Sequence, residues 1–274
     1  MVYQDLEAVQ QEQKHILDEV VAICEQHNLR YFLIAGTLLG AVRHRDIIPW
    51  DDDVDIGMPR KDYNKFLEIA GELLPEYMFL QTYETDPEYM QNFAKVRNSN
   101  TTHIENPIKH LQLNHGIYVD IFPYDGVADS KVIRYLRNKW IVFLCVLIRF
   151  FWDTPYTESG FWCKLATKIL SKITTKKKLQ KKLDVVLSKY DYDQSHIVGS
   201  LLSGYKMKSY VPREWYDEVC LLSFGEKQYL CPENYDAVLK QLYGDYMKLP
   251  PEEKRGIQHD VYLSDPQKSY REYL

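Results

Sequence analysis

Apolar residues recur near helical spacing over residues 3 to 27, where Leu6, Val9, Ile16, Val20 and Ile23 are separated by Gln, Glu and Lys. That period predicts an amphipathic helix, with Asn28 as its stop. The short apolar run 31 to 35 predicts a buried strand. Gly36 ends it, and Thr37 suits the cap of a short helix over 38 to 42. From 53 to 58 acidic and apolar residues alternate, so Asp53, Asp55 and Gly57 share one strand face and Val54, Ile56 and Met58 the other. Pro59 suits the first turn of a helix reaching about residue 74. Further strands are predicted over 79–83, 93–97, 101–105 and 116–123, the last with Asp120 between Val119 and Ile121. Beyond about residue 128 the pattern turns mainly helical, over 131–190. A hairpin around Phe224-Gly225-Glu226 and a final helix over 233–247 follow. The expectation is an α/β core at 1–128 and a mainly helical region with a hairpin at 129–274. That second region packs on the core and completes an acceptor site.

Composition narrows the class. The 274 residues are 45% hydrophobic and 27% charged, which suits a sizeable core and argues against disorder. Cys24, Cys145, Cys163, Cys220 and Cys231 form no CxxC or CxxH pair, against structural zinc and a disulfide framework. The net charge of −5 disfavours nucleic acid as the main partner. Acids and glutamines precede any apolar run, so no signal peptide is visible and a cytoplasmic location is expected.

One segment changes the picture most. Asp51, Asp52, Asp53 and Asp55 place four carboxylates within five positions. At ~4 Å and an effective dielectric of ~20, each like-charged pair costs roughly 4 kcal/mol. Such a cluster persists if the charges diverge, take up protons or meet a cation. On a strand, Asp53 and Asp55 stand about 6.5–7 Å apart on one face, a spacing at which two acids share metal ions with phosphates. Asp51 is a further candidate ligand, and Asp52 reads best as part of a turn after Pro49-Trp50. Asp120, on a later strand, suits either a metal ligand or a base toward an acceptor hydroxyl. Gly36-Thr37 suits close approach of backbone N–H groups to phosphate.

This layout resembles the nucleotidyltransferase fold. The run from Gly36 through Gly40-Ala41-Val42-Arg43-His44 to Ile48-Pro49-Trp50-Asp51-Asp52-Asp53-Val54-Asp55 is similar to the signature of the LicD family. Lys95-Val96-Arg97, Val119-Asp120-Ile121-Phe122-Pro123, Tyr243-Gly244-Asp245-Tyr246 and Pro250-Pro251 follow in the order that family shows. The resemblance implies an α+β fold, with a nucleotidyltransferase-like mixed sheet core, flanking helices and a mainly helical C-terminal region. It implies a bacterial enzyme that transfers phosphocholine from CDP-choline to a hydroxyl of a cell-surface glycan precursor, such as teichoic acid, and releases CMP. Related members use another phospho-alcohol such as ribitol, and true nucleotidyl transfer would use the same acids. The implied metal is Mg²⁺, with Mn²⁺ as a substitute, on Asp51, Asp53 and Asp55. Asp53, Asp55 and Asp120 are the implied catalytic set. Gly36, Thr37, Arg43, His44, Lys95 and Arg97 are the implied contacts to the donor. Trp50 is the aromatic residue nearest the acids for a choline headgroup.

The segment 140–152 is strongly apolar but shorter than the ~20 residues a bilayer span takes. Lys164, Lys168, Lys172, Lys176, Lys177, Lys178, Lys181 and Lys182 follow it. A buried helix beside a solvated lysine face accounts for this pattern. Peripheral docking of 140–182 on an anionic membrane, on its inner face where a lipid-linked acceptor would sit, accounts for it as well.

Overall fold

The computed structural model describes residues 2–3, 5–151, 169, 171–257 and 259–274. Strand β1 (Val2–Tyr3) precedes helix α1 (Leu6–Gln26), whose N-cap Asp5 accepts the Ala8 N–H at 3.1 Å. β2 (Phe32–Leu33), α2 (Ala35–Arg43), β3 (Asp55–Pro59) and α3 (Arg60–Leu73) follow. Next come β4 (Met78–Gln81), β5 (Ala94–Asn98), β6 (Thr102–Glu105) and β7 (Ile117–Val127). The later elements are α4 (Lys131–Arg149), α5 (Lys176–Leu187), β8 (Ile197–Gly199), β9 (Val211–Pro212), β10 (Val219–Phe224), β11 (Lys227–Pro232), α6 (Tyr235–Tyr243) and β12 (Val261–Asp265).

The fold is α+β. The main sheet runs β2-β3-β7-β5-β4, with β3 and β7 parallel and the other pairs antiparallel. β7 is its axis. All its residues are buried, which explains its nearly unbroken apolar sequence. Its first half lies between β3 and β5, and its end pairs with β8. Arg60, at the start of α3, holds Asp125 of β7 through two bonds of 2.7 Å, and both side chains are nearly buried. A bidentate pair of this kind fixes helix against strand where single charges would be costly.

The larger core draws on α1, α2, the main sheet, the β10–β11 hairpin and α6. A smaller cluster joins α4 and α5 through Ile141, Leu144, Ile148, Leu179, Leu183 and Leu187, with Met90 below. Arg137 of α4 donates to the carbonyls of Val186 and Leu187, so a cation closes the C-terminus of α5.

Several expectations shift. α2 starts at Ala35, so Gly36 and Thr37 lie inside its first turn, and Thr37 does not cap it. Burial of Leu38, Leu39 and Ala41 against the core sets where this helix begins. β3 begins at Asp55, where its ladder with β7 starts, so Asp53 sits in the extended segment before the strand. The hydrophobic pattern gave no sign of β8, β9 or β12. β12 pairs with β6 and with β1, which brings the C-terminal segment back onto the first half of the chain. Lys164 and Lys168 lie outside the described residues.

Candidate active site

A cleft of about 1220 Å³ runs between the main sheet, the first turn of α2, α4 and the segment after α6. Gly36, Arg43, Asp51, Asp53, Asp55 and Asp120 all line it.

Sheet register builds its floor. Asp55 of β3 is paired with Asp120 of β7, and Asp120 in turn with Lys95 of β5. Paired residues on adjacent strands project to one face, so two carboxylates and an ammonium form a row across three strands. Lys95 Nζ bonds Asp120 Oδ1 at 2.6 Å, with both side chains 8% exposed. The same Nζ sits 3.3 Å from the centroid of the Tyr118 ring. Thr37 Oγ1 accepts the Asp55 N–H at 2.8 Å, which joins the first turn of α2 to the start of β3. Thr37 therefore acts on the backbone that carries Asp55 and does not line the cleft.

Close approach explains two glycines before the acids. A Cβ on Gly36 would stand 2.8 Å from Asp51 Oδ2, and one on Gly40 would stand 2.5 Å from the Asp46 carbonyl oxygen. Both leave room for the 44–54 segment to fold back over α2. Ala35 takes φ 51°, a left-handed conformation that costs of order 1–3 kcal/mol for such a residue and that gathers at functional sites.

The acids occupy an electrostatically poor place. Burial, then the neighbouring Asp53 and Asp52, push the Asp51 carboxyl up to about 8. Burial also raises Asp53, with Asp120 and Asp52 adding to the rise while His259 and Lys95 oppose it. Burial, Asp53 and Asp120 raise Asp55 well above the usual carboxylate range. Asp120 is raised by burial, against the pull of Lys95 and His259. One carboxylate oxygen from each of Asp51, Asp52 and Asp53 falls within 4.8 Å of the others.

Asp52 differs from its neighbours. It is fully buried, its carbonyl accepts from Gln13 Nε2 at 2.6 Å, and its carboxylate meets His259 Nδ1 at 3.1 Å. Burial alone would lower the His259 pKa. The hydrogen bond to Asp52 and the charge of Asp53 outweigh it and raise the imidazole to about 9. His259 lines the cleft and brings a positive charge to the acids. Sequence reading missed it, because a single histidine in a polar C-terminal stretch carries no pattern.

The cationic residues divide. Arg43 lines the cleft, donating from Nη1 to the Tyr246 carbonyl at 2.7 Å and from Nε to His44 Nε2 at 3.0 Å. His44 is thus an acceptor for Arg43. Burial and the Arg43 charge lower its pKa, so it orients the guanidinium and does not itself line the cleft. Arg97 corrects the sequence expectation. It is 1% exposed, and it donates to Gln81 Oε1 at 2.5 Å and to the Gly116 carbonyl at 2.6 Å. The Tyr118 ring packs against both Lys95 and Arg97, and neither cation lines the cleft. Trp50 lines the cleft, with the His44 ring edge-on at 5.8 Å and Arg255 over it at 5.5 Å. Tyr205 and Tyr243 meet through their hydroxyls at 2.5 Å on the same cleft, as do Phe93 and Phe122 through rings 4.3 Å apart.

The family described as LicD/FKTN/FKRP, nucleotidyltransferase domain, matches residues 28–143. The lipopolysaccharide cholinephosphotransferase LicD of Haemophilus influenzae is 32% identical over 226 residues, 78% of this chain and 81% of that protein. The chain belongs to the LicD family. Human ribitol 5-phosphate transferase FKRP is 30% identical over 105 residues, 38% of this chain and 19% of that protein. The LicD match at 28–143 holds the whole acidic floor, together with Gly36, Arg43 and Lys95. His259 and the Tyr243–Tyr246 turn lie beyond it, and tertiary contacts bring them to the floor.

Proposed function

We propose that this chain transfers phosphocholine from CDP-choline to a hydroxyl of a cell-surface glycan precursor, releasing CMP. The observation that carries this reading is the Asp55–Asp120–Lys95 row beside Asp51 and Asp53, on the floor of a cleft whose walls are aromatic. The likeness to the cholinephosphotransferase covers most of both chains, whereas that to the ribitol 5-phosphate transferase covers 38% of this one. That difference favours choline over ribitol.

The donor set fits a hard divalent cation such as Mg²⁺. All its donors are carboxylate oxygens, those of Asp51 and Asp53 lie within 4.8 Å of each other, and burial leaves Asp51 and Asp55 short of counter-charge. Asp51, Asp53 and Asp55 would hold the ion, which when bound offsets charge on the donor diphosphate. The remaining work falls to this chain's own groups. First-turn N–H groups of a helix have no intrahelical partner, so Gly36 in α2 presents a backbone donor to an anion in the cleft. Arg43, fixed by His44 and Tyr246, supplies a planar cation for the diphosphate. Asp120 has one oxygen bonded to Lys95, and its other oxygen takes the proton of the acceptor hydroxyl. That hydroxyl oxygen bonds to the phosphorus bearing choline, the bond from this phosphorus to the CMP oxygen breaks, and CMP leaves. Trp50, Phe122 and Tyr205 give the trimethylammonium group aromatic faces in place of hydrogen bonds.

A thermal-shift series with CDP-choline, CDP-ribitol, CDP-glycerol and CDP-ethanolamine, each with Mg²⁺, tests the donor. The largest rise is expected for CDP-choline, followed by CMP release on adding acceptor. A larger rise with CDP-ribitol would replace the choline reading. Pyrophosphate release from a nucleoside triphosphate would replace phospho-alcohol transfer itself.

A further inference from the structure

Helix α4 has three faces. Arg137, Ile141, Leu144 and Ile148 are buried on the side of α4 that meets α5. Tyr135, Lys139, Val142 and Val146 line the cleft. At about 100° per residue, Val132, Ile133, Leu136, Trp140 and Phe143 fall within a third arc roughly 100° wide. These five line neither the core nor the cleft, and they are 68%, 50%, 61%, 41% and 47% exposed. The solvent face of a globular-protein helix is ordinarily polar. Single exposed apolar residues are common, but a continuous stripe of large ones marks an interaction surface.

Charge points to the occupant. Between residues 131 and 149 there is no Asp or Glu, and Lys139 borders the stripe. α5 adds Lys178 and Lys182, one helical turn apart on its exposed side, with exposed Val185 beside them. Lys182 Nζ lies 5.1 Å from the Trp140 ring, so the basic row of α5 borders the apolar stripe of α4. A second copy of the chain would set this basic rim against itself, whereas an anionic headgroup layer complements it.

We infer that the outer face of α4 and α5 docks on an anionic lipid bilayer, its apolar stripe entering the headgroup–acyl boundary and its lysines meeting lipid phosphates. No helix among the described residues is long and apolar enough to cross a membrane, which agrees with surface attachment through this face. Because the stripe and the cleft wall are neighbouring faces of one helix, docking brings the cleft mouth to the lipid surface. A lipid-linked acceptor then reaches Asp120 without leaving the bilayer. Docking does not depend on the identity of the donor, so it is measured without turnover.

The test is flotation of the full chain at low salt with vesicles of phosphatidylcholine, with and without phosphatidylglycerol. The protein is expected to float with the phosphatidylglycerol vesicles only. The double variant L136E/F143E, altered at two exposed positions outside the cleft, is expected to lose binding by about tenfold or more. K178E/K182E is expected to lose roughly fivefold per lysine. Unchanged circular dichroism and unfolding temperature confirm that both variants fold. Failure to float with anionic vesicles would overturn the inference, as would L136E/F143E floating like the parent. A dimer that L136E/F143E converts to monomer, with no vesicle binding by the parent, would assign the face to a second copy instead.

Discussion

The two walls of the cleft are built by different physics. The acidic wall stands on β7, buried along its whole length, and cross-strand register, a buried Arg60–Asp125 pair and the Lys95–Asp120 bond fix its side chains. The α4 wall rests on one thin cluster shared with α5, and an apolar stripe remains on its outside. The first wall gathers like charges that a folded chain tolerates only when something rigid holds them. The second exposes apolar surface that water tolerates poorly. Each is costly for the isolated molecule, and the proposed ligands would relieve these costs: a cation and phosphates at one wall, a lipid surface at the other.

The sharpest way to break this comparison is at the acids. Asp53→Asn or Asp55→Asn is expected to lower CMP release 10³-fold or more, the order seen when charge neutralisation is lost in phosphoryl transfer. Both variants should unfold no earlier than the parent, because each removes a like charge. A loss below tenfold would place the chemistry elsewhere. Next in size is Asp125→Ala, which strands Arg60 in the core and should cost about 3–5 kcal/mol in urea unfolding. Leu183→Ala opens a cavity in the smaller cluster and should cost about 2 kcal/mol, the low end for such a change. Hydrogen exchange should then quicken in α4 and α5 while β3, β5 and β7 keep their protection. Uniform loss of protection would mean that the two walls are one cooperative unit.

The acids also set a pH dependence. Folded Asp51 keeps its proton up to about 8, while the unfolded chain releases it near 4. Between those values the native state binds more protons, so stability of the chelator-treated protein falls as pH rises. His259 acts in the same direction. Its contribution is complete below about 6.5 and is lost as pH passes the folded value of about 9. The unfolding temperature should therefore decline from pH 4 to 9. Asp51→Asn should flatten the lower part of that decline, and added Mg²⁺ should oppose it by mass action. The smallest effect is expected at Glu84, which pairs with Lys177 and Lys181 at the surface. Glu84→Ala should shift stability by less than about 1 kcal/mol.

Much of the floor was legible in the chain. Alternation over 53–58 put Asp53 and Asp55 on one side of a strand, and Asp120 stood out as an acid inside an apolar run. The ends of β3 and α2 moved because ladder pairing and burial, not local propensity, set where those elements begin. Period two in β5 correctly put Lys95 and Arg97 on one face but could not show that Tyr118 covers both. His44 looked like a phosphate contact for want of the knowledge that Arg43 uses its ring nitrogen.

The sequence by itself determined the α+β class, the family and the cluster of acids, because these rest on local spacing and composition. Only the tertiary structure decided the Asp55–Asp120–Lys95 row, the arrival of His259 on Asp52, the withdrawal of Arg97 and the outward stripe of α4. Those depend on register between strands distant in sequence and on β12 returning to β6, contacts that no local pattern encodes.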